Sequence, residues 1–312
     1  MPTCSSGTPG DSALNDSDSV LGLRIAALFV ILAASTIGAL LPVLTANPKY
    51  AAALGHGGWF RMPVAVTEFL TYFGSGVIIG TAFIHLLSPA IDALSSPCLS
   101  EGWQDYPYAL GLCLISILSI FIVEIIAMRC AYRTRGVPNQ ETATEKPESP
   151  TSAHIVGIVI LEFGAILHSV LIGLTLAASP NFKLLFAVLV IHQVFEGLGI
   201  GSRLASVEFP PRYSYVPVIG AIIFGLSTPM GLAIGLAVRT AYSPDDPEAL
   251  IVSGILDSLS AGILLYTGLV ELLAHEILFR EEIICGPARK LVLVVTWVVL
   301  GCSMMALLGR WL

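Results

Sequence analysis

Residues 154–178 read HIVGIVILEFGAILHSVLIGLTLAA, and residues 184–205 read LLFAVLVIHQVFEGLGIGSRLA. Each stretch is long enough to cross a bilayer, because a spanning helix needs about 20 mostly apolar residues. Each nevertheless carries polar and ionisable side chains in its middle: Glu162 and His168 in the first, His192, Gln193 and Glu196 in the second. Charge at membrane depth is costly and persists where it serves a purpose. Further stretches of the same character lie at about 21–45, 63–88, 108–130, 215–238, 251–275 and 290–309. The expected fold is therefore an all-α polytopic membrane protein with eight transmembrane helices. Helices 4 and 5 are expected at its centre, flanked by three-helix groups.

Composition agrees with that class. Of 312 residues, 55% are hydrophobic and only 12% are charged, and the mean hydropathy is +0.84. Soluble domains carry about 25% charged residues, so a soluble enzyme, a nucleic-acid binder and a disordered scaffold are all excluded. The net charge of −7 gives no basic surface for nucleic acid. The six cysteines are scattered and form no CxxC pair, so neither a disulfide framework nor a thiolate zinc site is expected. The first 19 residues contain no Lys or Arg, and the apolar run that follows exceeds a secretory h-region. Helix 1 is accordingly read as a retained span. The chain divides into an N-terminal tail with helices 1–3 (1–132), a polar insert (133–153), and helices 4–8 (154–312), all in one transmembrane domain. The insert, RTRGVPNQETATEKPESPTS over 133–152, has the composition of a disordered cytosolic loop.

Orientation follows from the 15 Lys and Arg residues. Arg24, Lys183, Arg239 and Arg310 fall on the side of both tails, and all the others flank the connections after helices 1, 3, 5 and 7. That excess places the second set in the cytosol and both termini outside. The expected location is the plasma membrane. Asp92, Glu101, Asp105, Asp245, Asp246 and Glu248 lie on the outer side. They would suit attraction of an external cation, although solvated surface charge is the simpler reading.

Depth along each helix orders the intramembrane polar groups, at about 1.5 Å of rise per residue. His168 falls ~3 Å outward of the bilayer centre, His192 ~3–4 Å outward and Glu196 ~3 Å inward. His192 and Glu196, four residues apart, project from one face of their helix. Two imidazoles and a carboxylate at one depth suit a borderline divalent ion such as Zn²⁺ or Fe²⁺. A buried midway site is also where a transporter needs one. By the same arithmetic His85 lies ~14 Å outward, Asp257 ~9 Å outward and Glu271 ~12 Å inward, with His275 and Glu276 at the cytosolic mouth. These residues describe a path through the membrane. Gly197 and Gly201 form a GxxxG face suited to close helix approach, and Pro229 in helix 6 frees a backbone carbonyl one turn earlier.

These residues resemble the ZIP (Zrt/Irt-like) family of metal-ion transporters, particularly its fungal zinc-uptake branch. LEFGAILHSVLIGLTL (161–176) and HQVFEGLGIGSRL (192–204) are similar to the family's signature segments. SGVIIGTAFIHLLSPA (75–90), LSTPMGLAIG (226–235) and SAGILLYTGLVELLAHE (260–276) resemble the same branch. The likeness implies uptake of divalent metal, Zn²⁺ first and Fe²⁺ or a broader Fe/Mn/Cd set as the alternative. It implies that His168, His192, Gln193 and Glu196 line the central metal site, with Ser169 and Gly173 beside them. It also implies an elevator-like or rocking exchange of access between the two sides.

The chain departs from the family pattern in three places. Ile172 stands where homologues with two adjacent ions carry a carboxylate, and Ser169 and Gln193 stand where others carry Asn and Asp. One central ion is therefore expected. The insert contains no His, so metal sensing by that loop is not expected.

The expected partners are a divalent metal ion and the lipid bilayer, not nucleic acid, with a homodimer left open. No permanent cofactor is expected and no enzymatic activity. Two rivals come from other classes. A haem-binding electron carrier would use paired imidazoles among His85, His168, His192 and His275. An intramembrane zinc protease would need HExxH, where this chain has Gln193 and places Glu at 196.

Overall fold

The computed structural model describes residues 17–46, 63–135, 151–179, 182–207, 209, 213–238 and 246–311. The insert expected as a loop over 133–153 falls, from 136 to 150, outside the described residues. Eight helices are long and apolar enough to span a membrane, and among the described residues there is no strand. They are α1 (Ser17–Ala46), α2 (Val64–Leu94), α3 (Tyr108–Arg135), α4 (Thr151–Ala178), α5 (Phe182–Ser206), α6 (Val216–Val238), α7 (Pro247–Leu278) and α8 (Ala288–Leu308). The chain is an integral, multi-pass membrane protein.

The bundle has the polarity that a lipid solvent selects. Its outer faces are apolar: Phe29 is 67% exposed, Ile37 63% and Val292 64%. Its interior holds Ser169, His192, Gln193, Ser227 and Thr228, all fully buried. With lipid as apolar as leucine, association depends on close packing of small residues. A Cβ on Gly201 of α5 would fall 2.2 Å from the Ala39 carbonyl oxygen of α1. One on Gly231 of α6 would fall 2.1 Å from the Val170 carbonyl oxygen of α4. One on Gly76 of α2 would fall 2.0 Å from the Val298 carbonyl oxygen of α8.

These contacts sort the helices differently from chain order. The membership of the flanking groups, which the sequence leaves unassigned, follows from packing: α1, α4, α5 and α6 form one group, and α2, α3, α7 and α8 another. Two of the apolar clusters follow the same division: Ile31, Leu176, Leu189 and Leu232 join the first group, and Tyr72, Ile277 and Val294 the second. Partner choice rests on where glycines allow backbones to meet, which sequence proximity does not determine. Helices α4 and α5 keep their central place, because α5 meets α2 and α4 meets α7 along the seam between the groups.

Two helices change winding near the seam. Residues Thr81–Leu87 of α2 and Thr267–Leu278 of α7 are π-helical. Such widened turns are rare and concentrate at functional positions.

Candidate metal centre

His168 comes from the middle of α4, and His192 and Glu196 from successive turns of α5. One ligand atom from each lies within 4.8 Å of the others, and all three side chains are buried. His192 Nε2 stands 3.3 Å from Glu196 Oε2, and the His168 and His192 rings lie 5.8 Å apart, centre to centre. His168 Nε2, both His192 ring nitrogens and both Glu196 oxygens have no hydrogen-bond partner. Buried polar atoms are otherwise almost always paired, so a cluster of orphans facing one another needs a ligand to complete it. Tetrahedral Zn²⁺ bound at about 2.0–2.1 Å holds neighbouring ligand atoms roughly 3.3–3.5 Å apart. The His192–Glu196 pair already has that spacing, and His168 needs only a small inward shift.

Gln193 is fully buried beside these ligands, and its amide nitrogen donates to the Thr228 hydroxyl of α6. That bond orients the amide and leaves its oxygen unpaired. Ser169 is fully buried with an unpartnered hydroxyl. Gly173 serves packing, since a Cβ there would fall 2.3 Å from the Thr228 carbonyl oxygen. Gly197 and Gly201 likewise face Ala39 of α1, the helix-packing use of a GxxxG face. The imidazoles meet edge to face and leave no slot between them for a planar macrocycle, which disfavours the haem reading.

His85 sits nearer the centre than its sequence position suggested. Its ring lies 4.8 Å from that of His192, and its Nε2 is 2.9 Å from the Met305 carbonyl of α8. Helix α2 continues to Leu94, well past the expected end near 88. That extension moves its midpoint to about residue 79 and brings His85 to roughly 9 Å from centre, less again through the π-helical segment. A carbonyl can only accept, so Nε2 carries the proton and Nδ1 keeps its lone pair. His85 and His168 both line a cavity of about 280 Å³ that also contains Ser88, Asp92 and Asp257. This is an approach from the Cys98 end of the molecule directly to the central imidazoles.

The other end is arranged differently. A cavity of about 390 Å³ there is lined by Tyr72, Glu276, Arg280 and Lys290, among others, but by no residue of the central cluster. Glu271, His275 and Glu276 are engaged with one another and with Arg203. Arg203 Nη2 lies 3.2 Å from Glu271 Oε2, and Nη1 lies 3.2 Å from Glu276 Oε1. His275 Nδ1 is 3.6 Å from Glu271, and Arg280 is 3.1 Å from Glu276. From sequence, Arg203 enters only the charge count that sets membrane orientation. Its position within an apolar span, two residues beyond GLGIG, is the signal of a buried role.

The profile of the ZIP zinc transporter family matches residues 21–154 and 137–309. The chain belongs to the ZIP zinc transporter family. Among its ZIP relatives, zinc-regulated transporter 1 of Saccharomyces cerevisiae is 35% identical over 345 residues, covering 95% of this chain and 89% of that one. Zinc-regulated transporter 1 of Schizosaccharomyces pombe is 35% identical over 362 residues, covering 93% and 85%. Fe(2+) transport protein 1 of Arabidopsis thaliana is 32% identical over 312 residues, covering 93% and 86%. The ZIP match extends across all eight spans, so the clustered ligands sit inside a membrane fold shared along its whole length.

Proposed function

We propose that this protein is a transporter, not an enzyme, and carries divalent cations across the plasma membrane toward the cytosol, with Zn²⁺ as the principal cargo. The observation that carries this reading is the cluster of His168, His192 and Glu196, buried and mutually unsatisfied midway through the membrane. Two neutral imidazoles and one carboxylate would hold a dication at net charge +1, enough to bind it in a low dielectric without trapping it. Gln193, Ser169 or water completes the coordination shell. The cation enters through the cavity containing Asp92 and Asp257 and passes His85 on its way to His168.

Orientation is part of the proposal. The Lys and Arg excess argues that the Arg203 end is cytosolic. Cys98, at the opposite end, is disulfide-bonded, whereas Cys113, Cys285 and Cys302 are free. A disulfide belongs to an oxidising compartment, which supports the Cys98 end facing outside. Helix α1 begins and α8 ends at that same end, so both tails are extracellular.

Fe²⁺ is the second reading, favoured by the likeness to an iron transport protein with comparable coverage. The donor set of nitrogen and carboxylate oxygen suits either ion. The test is uptake of ⁶⁵Zn²⁺ into vesicles reconstituted with the full chain, with Fe²⁺, Mn²⁺ and Cd²⁺ as competitors. His168→Ala and Glu196→Ala should each reduce uptake to the level of empty vesicles while the protein remains in the membrane. Transport near the parent rate in either variant would remove the central site from the mechanism. Stronger inhibition by Fe²⁺ than by unlabelled Zn²⁺ would reverse the order of cargo.

A further inference from the structure

Arg203 is a cation buried at membrane depth, 5% exposed, and it bridges the two helix groups. It stands on α5, two turns beyond Glu196, whereas its partners Glu271 and Glu276 stand on α7 in the other group. The pairing is costly to maintain: Arg203 Nε has no partner, and Glu271 is only 3% exposed. Desolvating such charges commonly consumes what their attraction returns, so buried pairs are poor devices for plain stability. Their better-attested use is to specify one arrangement over another.

The arrangement specified here is asymmetric. The cavity at the Cys98 end reaches His168, while the cavity at the Arg203 end stops at Glu276. Above the ion pairs the groups meet through small residues, where a Cβ on Gly74 of α2 would fall 2.5 Å from Gly199 Cα of α5. Elsewhere the seam is apolar, as where Phe73 of α2 meets Phe195 of α5, so the ion pairs are the charged contacts that hold the groups together at this end.

We propose that Arg203, Glu271 and Glu276 form an ionic latch that closes the cytosolic end while the central site is open to the outside. Opening that end separates α5 from α7 and breaks both bonds. Glu271 and Glu276 are then released to attract the departing cation, and reclosure restores their pairing with Arg203. The latch rests on the transport reading for its purpose, but its existence is a statement about conformation that can be tested without metal.

The experiment uses the full chain in lipid nanodiscs, with Cys113, Cys130, Cys285 and Cys302 replaced by alanine and Thr267→Cys introduced. Thr267 is buried on α7 one turn deeper than Glu271, so its thiol should react with a maleimide only when the Arg203 end opens. The double variant Arg203→Met/Glu271→Gln removes both charges together and avoids an orphaned ion. It should label about tenfold faster than the parent, the change produced when a bias of about 1.4 kcal/mol is lost. Arg203→Glu should also label faster, by repulsion from both carboxylates. The exchange Arg203→Glu/Glu271→Arg should return labelling toward the parent rate, which a merely space-filling role would not do. Parent-like rates in the charge-removed variant overturn the latch, and so does a failure of the exchange to slow labelling relative to Arg203→Glu. If the charge-removed variant does not fold, the comparison of Arg203→Glu with the exchange decides alone. A parent that shows this charge-dependent labelling yet moves no zinc would retain the latch and discard the cargo assignment.

Discussion

The proposal of a single central ion turns on Ile172. It lies one helical turn beyond His168, half-buried, where it packs with Ala27, Leu185 and Leu232 and borders the outer cavity. A second dication beside the first would need another carboxylate to offset repulsion at close range, because two charges about 4 Å apart interact strongly wherever water is scarce. The cluster offers one carboxylate, Glu196, and the Gln193 amide is committed through its nitrogen to Thr228. Saturated protein should therefore bind one zinc at the centre, as read by calorimetric stoichiometry and by anomalous scattering. Two central peaks within ~4 Å of each other would contradict the assignment. Much of this site is legible in the sequence, since spacing and depth alone align His168, His192 and Glu196. His85 was misplaced because its depth depends on where α2 ends, and Pro89 with Asp92 disguises a helix that continues to Leu94. The engagement of Glu271 and Glu276 by Arg203 was hidden for another reason: the partners lie 68 and 73 residues apart, beyond any local spacing rule.

At the scale of the element, glycine decides which helices become neighbours. Hydropathy delimits eight spans because lipid imposes length and apolarity on each independently. It says nothing about partners, which packing alone assigns. The α4–α6 contact illustrates the dependence. A Cβ on Gly231 would fall 2.1 Å from a backbone oxygen of α4, and no side-chain rotation can relieve that. Gly231→Ala should force the helices apart and cost about 1–3 kcal/mol or more, the range of core overpacking. It would also shift Thr228 relative to Gln193. A lower unfolding temperature in detergent, with weaker zinc binding, is the expected result. Gly22→Ala is the matched control, because nothing lies within 4 Å of a Cβ at that position. Equal unfolding temperatures for the two variants would show that the α4–α6 contact tolerates separation.

For the molecule as a whole, the open and closed ends determine which compartment's protons reach the metal site. In this conformation the outer cavity reaches His168, and buried ion pairs close the opposite end. In the proposed orientation, the loading step would take place in equilibrium with the external medium. A ligating imidazole must be unprotonated. Protons and Zn²⁺ then compete for His168 and His192, and the competition favours protons as pH falls. The sign is fixed by the chemistry: the metal-binding form is the neutral ring, so apparent affinity drops on acidification and recovers on return to neutral pH. Lowering external pH from about 7.5 to 5.5 should raise the zinc concentration needed for half-maximal uptake, with a smaller change in maximal rate. Acidifying only the vesicle interior should have much less effect on that concentration, because the loading conformation is shut on the Arg203 side. Measuring ⁶⁵Zn²⁺ uptake under the two opposed pH gradients separates these cases. Equal sensitivity to internal and external pH would mean that the site is not sealed from the cytosolic end when it loads. Uptake that rose on external acidification would mean that proton movement drives the cycle, and imidazole competition would no longer set its rate.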